Sequence, residues 1–168
     1  MIHPEEQPVM EALAELGIHY TRYEHGRALT MEDCESIGAD VGAQHVKNLF
    51  LTNRQGTDFY LLLLCAQKKF RTAEVSKQLG VSRLSFCTQE QLMDKLKLVP
   101  GSVTAMALVN DTRHEITVVV DEDVKGLAML CVHPCTSEVS YAISGEDLFK
   151  FLAWRTNELR FVHIDDDA

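Results

Sequence analysis

The chain has 168 residues, of which 46% are hydrophobic and 24% are charged, and its formal net charge is −9. This length and hydrophobic content predict one globular domain over residues 1–168. No apolar run is long enough to cross a membrane, and the first residues lack the basic and apolar regions of a secretory signal, so we expect a cytoplasmic protein. The acidic balance argues at first against a nucleic-acid partner.

The first forty residues predict two short helices and one strand. Apolar residues at helical spacing indicate a helix over 9–16, which Gly17 ends, and a strand is expected over 19–23. Thr30 is a suitable N-cap for a second helix that runs towards Ile37.

The middle of the chain alternates strands and helices. Two runs rich in β-forming residues, 48–52 and 59–65, flank a Gly-containing turn and predict an antiparallel hairpin. The next predicted elements are a helix over 72–79, a strand over 84–87, and a helix that begins at the capping-box pair Thr88 and Gln91 and runs to about Leu96.

The last third of the chain predicts mostly strands. A second hairpin is expected from strands over 104–109 and 115–120. The remaining predicted elements are strands over 128–132 and 138–143, a helix from the Ser144 cap through Trp154, and a strand over 159–164. Because strands and helices follow in mixed order, we predict an α+β (mixed α/β) fold rather than a wound parallel sheet or a helical bundle.

Lys47 is the residue that most needs an explanation. It lies in His45-Val-Lys-Asn-Leu-Phe-Leu51, where an apolar strand begins. A lysine with such neighbours commonly carries its ammonium to the surface on an apolar stem. A functional interpretation gains weight from two distant segments, Pro100-Gly-Ser-Val-Thr104 and His133-Pro134.

The positive charges are concentrated in one part of the chain. Between Lys47 and Lys97, nine Lys or Arg residues stand against four acids. A basic middle between acidic ends could face a phosphate backbone while the rest of the protein repels non-specific contacts. Ordinary solvated helix faces explain the same distribution equally well.

The five cysteines are odd in number, and most lie in apolar, strand-like stretches, which favours reduced and packed thiols. Cys131, His133 and Cys135 would share one face if their strand continued, and are conceivable metal ligands. However, Pro134 interrupts the strand, no fourth ligand is near, and the spacing is not a usual zinc pattern. We therefore expect neither a metal nor an organic cofactor.

Several segments together resemble the YbaK/ProX family of aminoacyl-tRNA deacylases, and most closely its PrdX or ProXp-ala branch, which is prolyl-tRNA-editing-like. These segments are residues 45–51, 84–93, 100–104, 133–134 and 142–144. They follow one another in the family's order over nearly the whole chain. The resemblance implies a YbaK-like mixed, largely antiparallel, barrel-like β-sheet flanked by helices.

The resemblance also implies a free-standing enzyme that hydrolyses the ester of a mischarged tRNA, with alanine wrongly joined to proline tRNA as the substrate of the nearest branch. The partner is then the acceptor end of tRNA, with prolyl-tRNA synthetase as a further candidate. The family's lysine and its neighbouring asparagine correspond to Lys47 and Asn48, the candidate catalytic residues. The candidate substrate-binding residues are Gly101, Ser102, Val103, Thr104 and Ala105 in a pocket loop, and His133, Pro134 and Ser137 in the His-Pro loop.

This chemistry needs little catalytic machinery. An aminoacyl ester is activated and the adjacent ribose hydroxyl can assist, so the protein has to position the ester, the terminal phosphate and a water. Lys47 would hold the phosphate or the carbonyl as a point charge, while backbone amides near Gly101 and Ser102 bind the carbonyl oxygen. Ser102 has no evident base and lacks the hydrolase elbow pattern, so a turn residue is the alternative. His45 and His133 could act as bases, and structural hydrogen bonding explains both as well.

The chain departs from the family pattern in two places. Ala105-Met106-Ala107 replaces the Pro-Phe-Gly or Pro-Leu-Gly that relatives commonly carry, and Ser137 and Ser140 stand where relatives commonly have asparagine and threonine. Hydrophobic pockets discriminate by about 1–3 kcal/mol per methylene, so the first change bears on which amino acid is removed. Two other classes of function stay open: a catalytically silent tRNA-binding or regulatory module, and a binder of a free amino acid.

Overall fold

The computed structural model describes residues 2–26, 42–99, 103–156 and 158–165. Its helices are α1 (Gln7–Glu15), α2 (Thr72–Leu79), α3 (Gln89–Leu96) and α4 (Gly145–Arg155). Its strands are β1 (Tyr20–Glu24), β2 (Gln44–Thr52), β3 (Phe59–Cys65), β4 (Ser85–Phe86), β5 (Ile116–Asp121), β6 (Met129–Val132), β7 (Val139–Ser144) and β8 (Leu159–Val162). Short 3₁₀ helices cover Pro4–Glu6, Ala105–Asn110 and Glu122–Gly126.

The strands form one mixed sheet in the order β1-β7-β6-β2-β3-β5-β8, and β4 pairs with the end of β2. The pairs β1/β7, β6/β7, β2/β3 and β2/β4 are antiparallel, whereas β2/β6, β3/β5 and β5/β8 are parallel. This confirms the predicted mixed and largely antiparallel sheet flanked by helices. Strand β2, which carries Lys47, pairs with three other strands, more than any other strand that the structure describes.

Most predicted elements are confirmed. The hairpin of β2 and β3 pairs Thr52 with Phe59, as its turn signal indicates. The capping box of Thr88 and Gln91 opens α3, and the Ser144 hydroxyl caps α4. Strand β2 begins four residues earlier than predicted, because its first residues pair with β6. The helix predicted from Thr30 lies outside the described residues.

The strand predicted over 104–109, and with it the second hairpin, is wrong. Residues Ala105–Asn110 form a 3₁₀ helix, which the Thr104 hydroxyl caps by accepting a hydrogen bond from the N–H of Met106 at 3.2 Å. All residues from 105 to 109 are buried. A short continuous apolar run has no period that distinguishes a buried strand from a buried helical turn, and here tertiary packing decides.

Two apolar clusters cover the two faces of the central strands. The larger contains residues of α1, α3, α4 and the 3₁₀ helix over 105–110, together with Val46 and Phe50 of β2. The smaller contains Val75 and Leu79 of α2, together with Leu51 of β2 and, at its margin, Leu49. We call the side that carries the smaller cluster the α2 face. None of the described helices has the length and apolarity needed to span a membrane.

Candidate active site

Lys47 lies half-buried in the middle of β2, directly opposite Leu64 of β3. Because side chains alternate along a strand, Lys47 shares the α2 face with His45 and Leu49. Its ammonium donates a hydrogen bond to the carbonyl oxygen of Lys68, in the turn that follows β3. An ammonium has three donors, and this bond uses one of them.

The turn that supplies this carbonyl is fixed by a buried ion pair. The Nζ of Lys68 lies 2.9 Å from Asp121 Oδ1 and 2.6 Å from Asp123 Oδ2, and it donates to the carbonyl of Ile164 at 2.8 Å. The second oxygen of Asp121 accepts from the N–H of Cys65 at 3.1 Å. Burial disfavours the charge of Lys68, but the hydrogen bonds to Asp123 and Asp121 outweigh this, so its pKa lies above the ordinary value. Lys68, one of the nine basic residues considered for phosphate contact, therefore serves the interior of the protein.

Asn48 faces the other side of the sheet. Its Oδ1 accepts a hydrogen bond from the N–H of Ala105 at 2.9 Å, and its Nδ2 donates to the carbonyl of Val46 at 3.1 Å. Leu63 of β3, which pairs with Asn48, belongs to the larger apolar cluster. The side-chain amide therefore fixes the start of the 3₁₀ helix rather than pointing with Lys47 into the α2 face.

Thr104 joins the same segment to the His-Pro loop. Its hydroxyl donates to the carbonyl oxygen of His133 at 2.7 Å, and the residue is only 2% exposed. Val103, just before it, is half-buried. Gly101 and Ser102 lie outside the described residues, so their role in binding a carbonyl oxygen stays a prediction.

Three histidines and one serine lie together beyond the His45 end of β2. The ring centroids of His45 and His133 are 5.8 Å apart, and those of His25 and His133 are 6.2 Å apart. The hydroxyl of Ser140 lies 2.7 Å from His25 Nε2 and 3.4 Å from His133 Nδ1. His25 was missed from the sequence because no local pattern marks it, and only the pairing of β1 with β7 brings it beside Ser140.

Burial keeps His45 and His133 neutral. Desolvation, and then the neighbouring His133, lower the pKa of His45 to about 4. Desolvation also lowers the pKa of His133, against the opposing effect of the hydrogen bond between its Nδ1 and the carbonyl of Val139 at 3.0 Å. Since a carbonyl only accepts, Nδ1 of neutral His133 carries the proton and Nε2 the lone pair. These rings can therefore accept hydrogen bonds at neutral pH, while Lys47 supplies the positive charge on this face.

The His-Pro loop forms the turn between β6 and β7. Pro134 is buried in it, Ser137 is half-buried, and Cys135 has a φ of 66°. This left-handed residue breaks the alternation that would have placed Cys131, His133 and Cys135 on one face. Over the parts of the chain that the structure describes, no group of three or more His, Cys, Asp or Glu residues is arranged to hold a metal ion.

The candidate residues thus fall into two groups. Lys47 and His45 stand on the α2 face of β2, and Asn48 holds Ala105 on the other face. His133 connects them, because its ring lies beside His45 and its carbonyl is held by Thr104. Residues 105–107, where the chain departs from the family pattern, are fully buried.

The chain matches a known protein family over most of its length. The family model described as the aminoacyl-tRNA editing domain matches residues 25–151. The prolyl-tRNA editing protein ProX of Acetoanaerobium sticklandii is 31% identical over 159 residues, which cover 95% of this chain and 97% of that protein. Prolyl-tRNA synthetase associated domain-containing protein 1 of Danio rerio is 30% identical over 146 residues, which cover 84% of this chain and 78% of that protein.

A solved structure supports the fold. The crystal structure of a candidate trans-editing enzyme for prolyl-tRNA synthetase superposes with a TM-score of 0.78 at 18% identity, over 99% of this chain and 100% of the other. The family match spans most of the chain, and the identity to ProX extends over nearly its whole length. The chain therefore belongs to the aminoacyl-tRNA editing family of aminoacyl-tRNA deacylases.

Proposed function

We propose that this protein is a trans-editing deacylase that removes alanine from mischarged proline tRNA. The observation that supports this most is the 31% identity, over nearly the full length of both chains, to a protein named for prolyl-tRNA editing. As a member of the aminoacyl-tRNA editing family, the chain acts on the ester between an amino acid and the 3′ end of tRNA. The acceptor end of tRNA is thus its substrate partner, and prolyl-tRNA synthetase, which makes the mischarged species, is the further partner that we propose.

Lys47 is the catalytic residue of this proposal. Its ammonium is compact, stands among apolar neighbours, and has donors left beyond the one that Lys68 receives. It holds the terminal phosphate or the ester carbonyl as a fixed positive charge. Such a charge, already in place before the reaction, stabilises negative charge that develops on the carbonyl oxygen.

The remaining polar groups orient a water rather than attack the ester. His45 and His133 are neutral at pH 7 and can accept a hydrogen bond from a water or from the ribose hydroxyl. The water attacks the carbonyl carbon, and the backbone amides of Gly101 and Ser102 share the developing charge with Lys47. The bond between the carbonyl carbon and the ribose oxygen then breaks. The ribose oxygen takes one proton of the water, the other proton passes to solvent, and the amino acid leaves as its carboxylate.

The pocket for the amino acid is formed by the loop that Asn48 and Thr104 hold. Asn48 acts as a positioning residue, because both bonds of its amide go to backbone groups. Val103, Thr104, Ala105 and the loop residues His133, Pro134 and Ser137 are the proposed lining. The N–H of Ala105 is hydrogen-bonded to Asn48 of β2, and the Thr104 hydroxyl is hydrogen-bonded to the His-Pro loop. This wall of the pocket therefore resists expansion, which favours a substrate whose amino acid has a small side chain. Each additional methylene is worth about 1–3 kcal/mol in such discrimination.

A panel of esters tests the proposal. Purified protein is incubated with alanyl-, prolyl-, seryl- and cysteinyl-tRNA carrying the proline tRNA body, and with alanyl-tRNA carrying the alanine tRNA body. We expect the alanyl ester of proline tRNA to be hydrolysed at least about 10-fold faster than its prolyl ester. Absence of hydrolysis at micromolar enzyme would contradict a deacylase, and faster loss of another amino acid would contradict the assignment of alanine alone.

Two further outcomes identify the other functions considered. Salt-dependent binding of tRNA without ester loss identifies a silent tRNA-binding module. Thermal stabilisation by free alanine without tRNA, again without ester loss, identifies an amino-acid binder.

A further inference from the structure

Phe70 and Phe86 form an aromatic pair at the surface of the α2 face. Their ring centroids are 5.7 Å apart, and the rings meet edge to face at 70°. Phe86 is 60% exposed, the largest value for any large hydrophobic side chain among the described residues. Phe70 also packs against the smaller apolar cluster, so the pair has one anchored member and one open ring.

The local structure holds this pair in place. Phe86 lies on β4, opposite Leu51 of β2. The hydroxyl of Thr72, at the start of α2, donates to the carbonyl of Leu84 at 2.5 Å, and the hydroxyl of Ser76 accepts from the N–H of Leu84 at 3.0 Å. Helix α2 and strand β4 are therefore joined, and the two rings are presented on a supported surface.

The sequence that carries the two rings is rich in positive charge, in contrast to the whole chain. Lys69 and Arg71 flank Phe70 in the sequence, Arg83 precedes Phe86 by three residues, and all three basic residues are exposed. From residue 69 to residue 86 there is a single acid, Glu74, whereas the chain as a whole carries −9. A segment of this composition complements a phosphate backbone, and the acidic remainder of the chain repels it elsewhere.

The pair lies on the same face as the proposed catalytic lysine. Phe86 is directly opposite Leu51, and Leu51 follows Lys47 by four residues on β2, so the three side chains share one face. Four residues of strand span about 13 Å, which is roughly the length of four stacked nucleotides. A strand whose terminal ester is held at Lys47 can therefore extend over Phe86.

We propose that the patch formed by Phe70, Phe86, Lys69, Arg71 and Arg83 binds the unpaired 3′ strand of the tRNA acceptor end, with a base stacked on Phe86 and the basic side chains facing the phosphates. Aromatic rings beside basic groups are the usual platform for single-stranded nucleic acid, because every base has a face that stacks. The inference rests on the proposed function, which places the ester at Lys47. It adds the surface by which the enzyme grips its substrate away from the reacting bond.

The test measures the binding of uncharged proline tRNA by fluorescence anisotropy, with the intact tRNA and with the same tRNA lacking its unpaired 3′ end. Phe86→Ala is expected to weaken binding of the intact tRNA by about 5-fold or more, and Phe86→Trp is expected to keep it. On the truncated tRNA, the wild-type protein and Phe86→Ala are expected to bind alike. Phe161→Ala, which removes another exposed phenylalanine on β8 at the opposite edge of the sheet, is the matched control and keeps wild-type affinity.

The basic side chains have their own measurement. Arg83→Ala is expected to reduce the slope of log affinity against log salt by roughly 0.7–0.9 for each phosphate that the variant no longer neutralises. Arg113→Ala removes an exposed arginine outside the patch and is expected to leave the slope unchanged.

Wild-type affinity of Phe86→Ala for the intact tRNA would overturn the inference, and so would an equal loss of affinity on intact and truncated tRNA. If Phe86→Ala binds tRNA normally but no longer binds prolyl-tRNA synthetase, the patch belongs to a protein partner instead. The proposed function fails separately. Uncharged tRNA carries no ester, so Phe86-dependent binding without hydrolysis of alanyl-tRNA leaves the patch supported and removes the deacylase. Normal hydrolysis with no effect of Phe86→Ala removes the patch alone.

Discussion

Lys47 and Asn48 are neighbours on β2, and their side chains act on opposite faces of the sheet. The Lys47 ammonium is held by the carbonyl of Lys68, while the Asn48 amide holds the N–H of Ala105 at 2.9 Å. One stretch of backbone therefore sets the position of both the proposed catalytic charge and the pocket loop. Removal of each side chain separates these two contributions.

Lys47→Ala is expected to lower the deacylation rate by about 100-fold or more while the protein stays folded. The reason is that a preorganised positive charge, absent in the variant, would no longer stabilise the charge on the carbonyl oxygen. Single-turnover rates on proline tRNA charged with alanine measure the effect, and circular dichroism verifies the fold. Lys150→Ala, which removes an exposed lysine of α4, is the control and keeps the wild-type rate. A wild-type rate in Lys47→Ala would exclude the lysine from the mechanism.

Asn48→Ala is expected to reduce both stability and activity. It leaves the N–H of Ala105 without its acceptor in a buried segment, which lowers the free energy of unfolding by about 1–3 kcal/mol. Because the pocket loop then shifts, we expect KM and kcat to change together, and Asn48→Asp, which keeps an acceptor oxygen, to recover part of the stability. Urea denaturation and steady-state kinetics measure the two effects.

Asn110→Ala provides the matched control for this variant. Its side chain donates to the carbonyl of Leu96 at 2.9 Å, outside the proposed pocket. It should lower stability in the same way and leave KM unchanged. Equal changes in KM for the two variants would show that Asn48 has no special part in positioning the pocket loop.

The fold was predictable where local signals carry it. The turn between β2 and β3, the capping box of α3 and the Ser144 cap of α4 are short-range patterns, and each is confirmed. The segment after Thr104 was not predictable, because five buried apolar residues fit a strand or a helical turn equally well. Its conformation depends on the acceptor that Asn48 offers from a strand 57 residues earlier.

The site was predictable only in part, for the same reason. Lys47 and His133 could be found from their motifs, but the face on which each side chain stands follows from strand register. The role of Lys68 was hidden, since its partners Asp121 and Ile164 are 53 and 96 residues away. His25 and Ser140 are separated by 115 residues, and no local pattern joins them.

Lys68→Met is expected to lower the free energy of unfolding by about 3–5 kcal/mol, because Asp121 would be left buried without its cation. The double variant Lys68→Met with Asp121→Asn removes both charges and should recover much of this loss. Denaturant unfolding measures both. Lys95→Met breaks the more exposed pair with Glu115 and should change stability by no more than about 1 kcal/mol. A loss as small as that in Lys68→Met would contradict the structural role of the buried pair.

His45 is expected to make the protein less stable as the pH falls from about 6.5 to about 4. Burial lowers its pKa to about 4 in the folded state, against an ordinary value of 6.5, so the unfolded chain binds the proton more tightly. The stability that neutral His45 contributes is complete above pH 6.5 and is lost progressively through this range, by an amount of the order of 1–3 kcal/mol.

His45→Asn separates this effect from other groups that titrate in acid. Carboxylates such as Glu6 and Asp123, whose pKa values are lowered in the folded state, also lose stabilising charge at low pH, but they do so equally in both proteins. We therefore expect the free energy of unfolding in urea to fall less steeply between pH 7 and pH 5 in His45→Asn than in the wild type. His19→Gln, which replaces an exposed histidine, should follow the wild-type curve. Parallel curves for His45→Asn and the wild type would mean that the ring is not held neutral by burial, and the hydrogen-bond acceptor assigned to it at the proposed site would be lost with it.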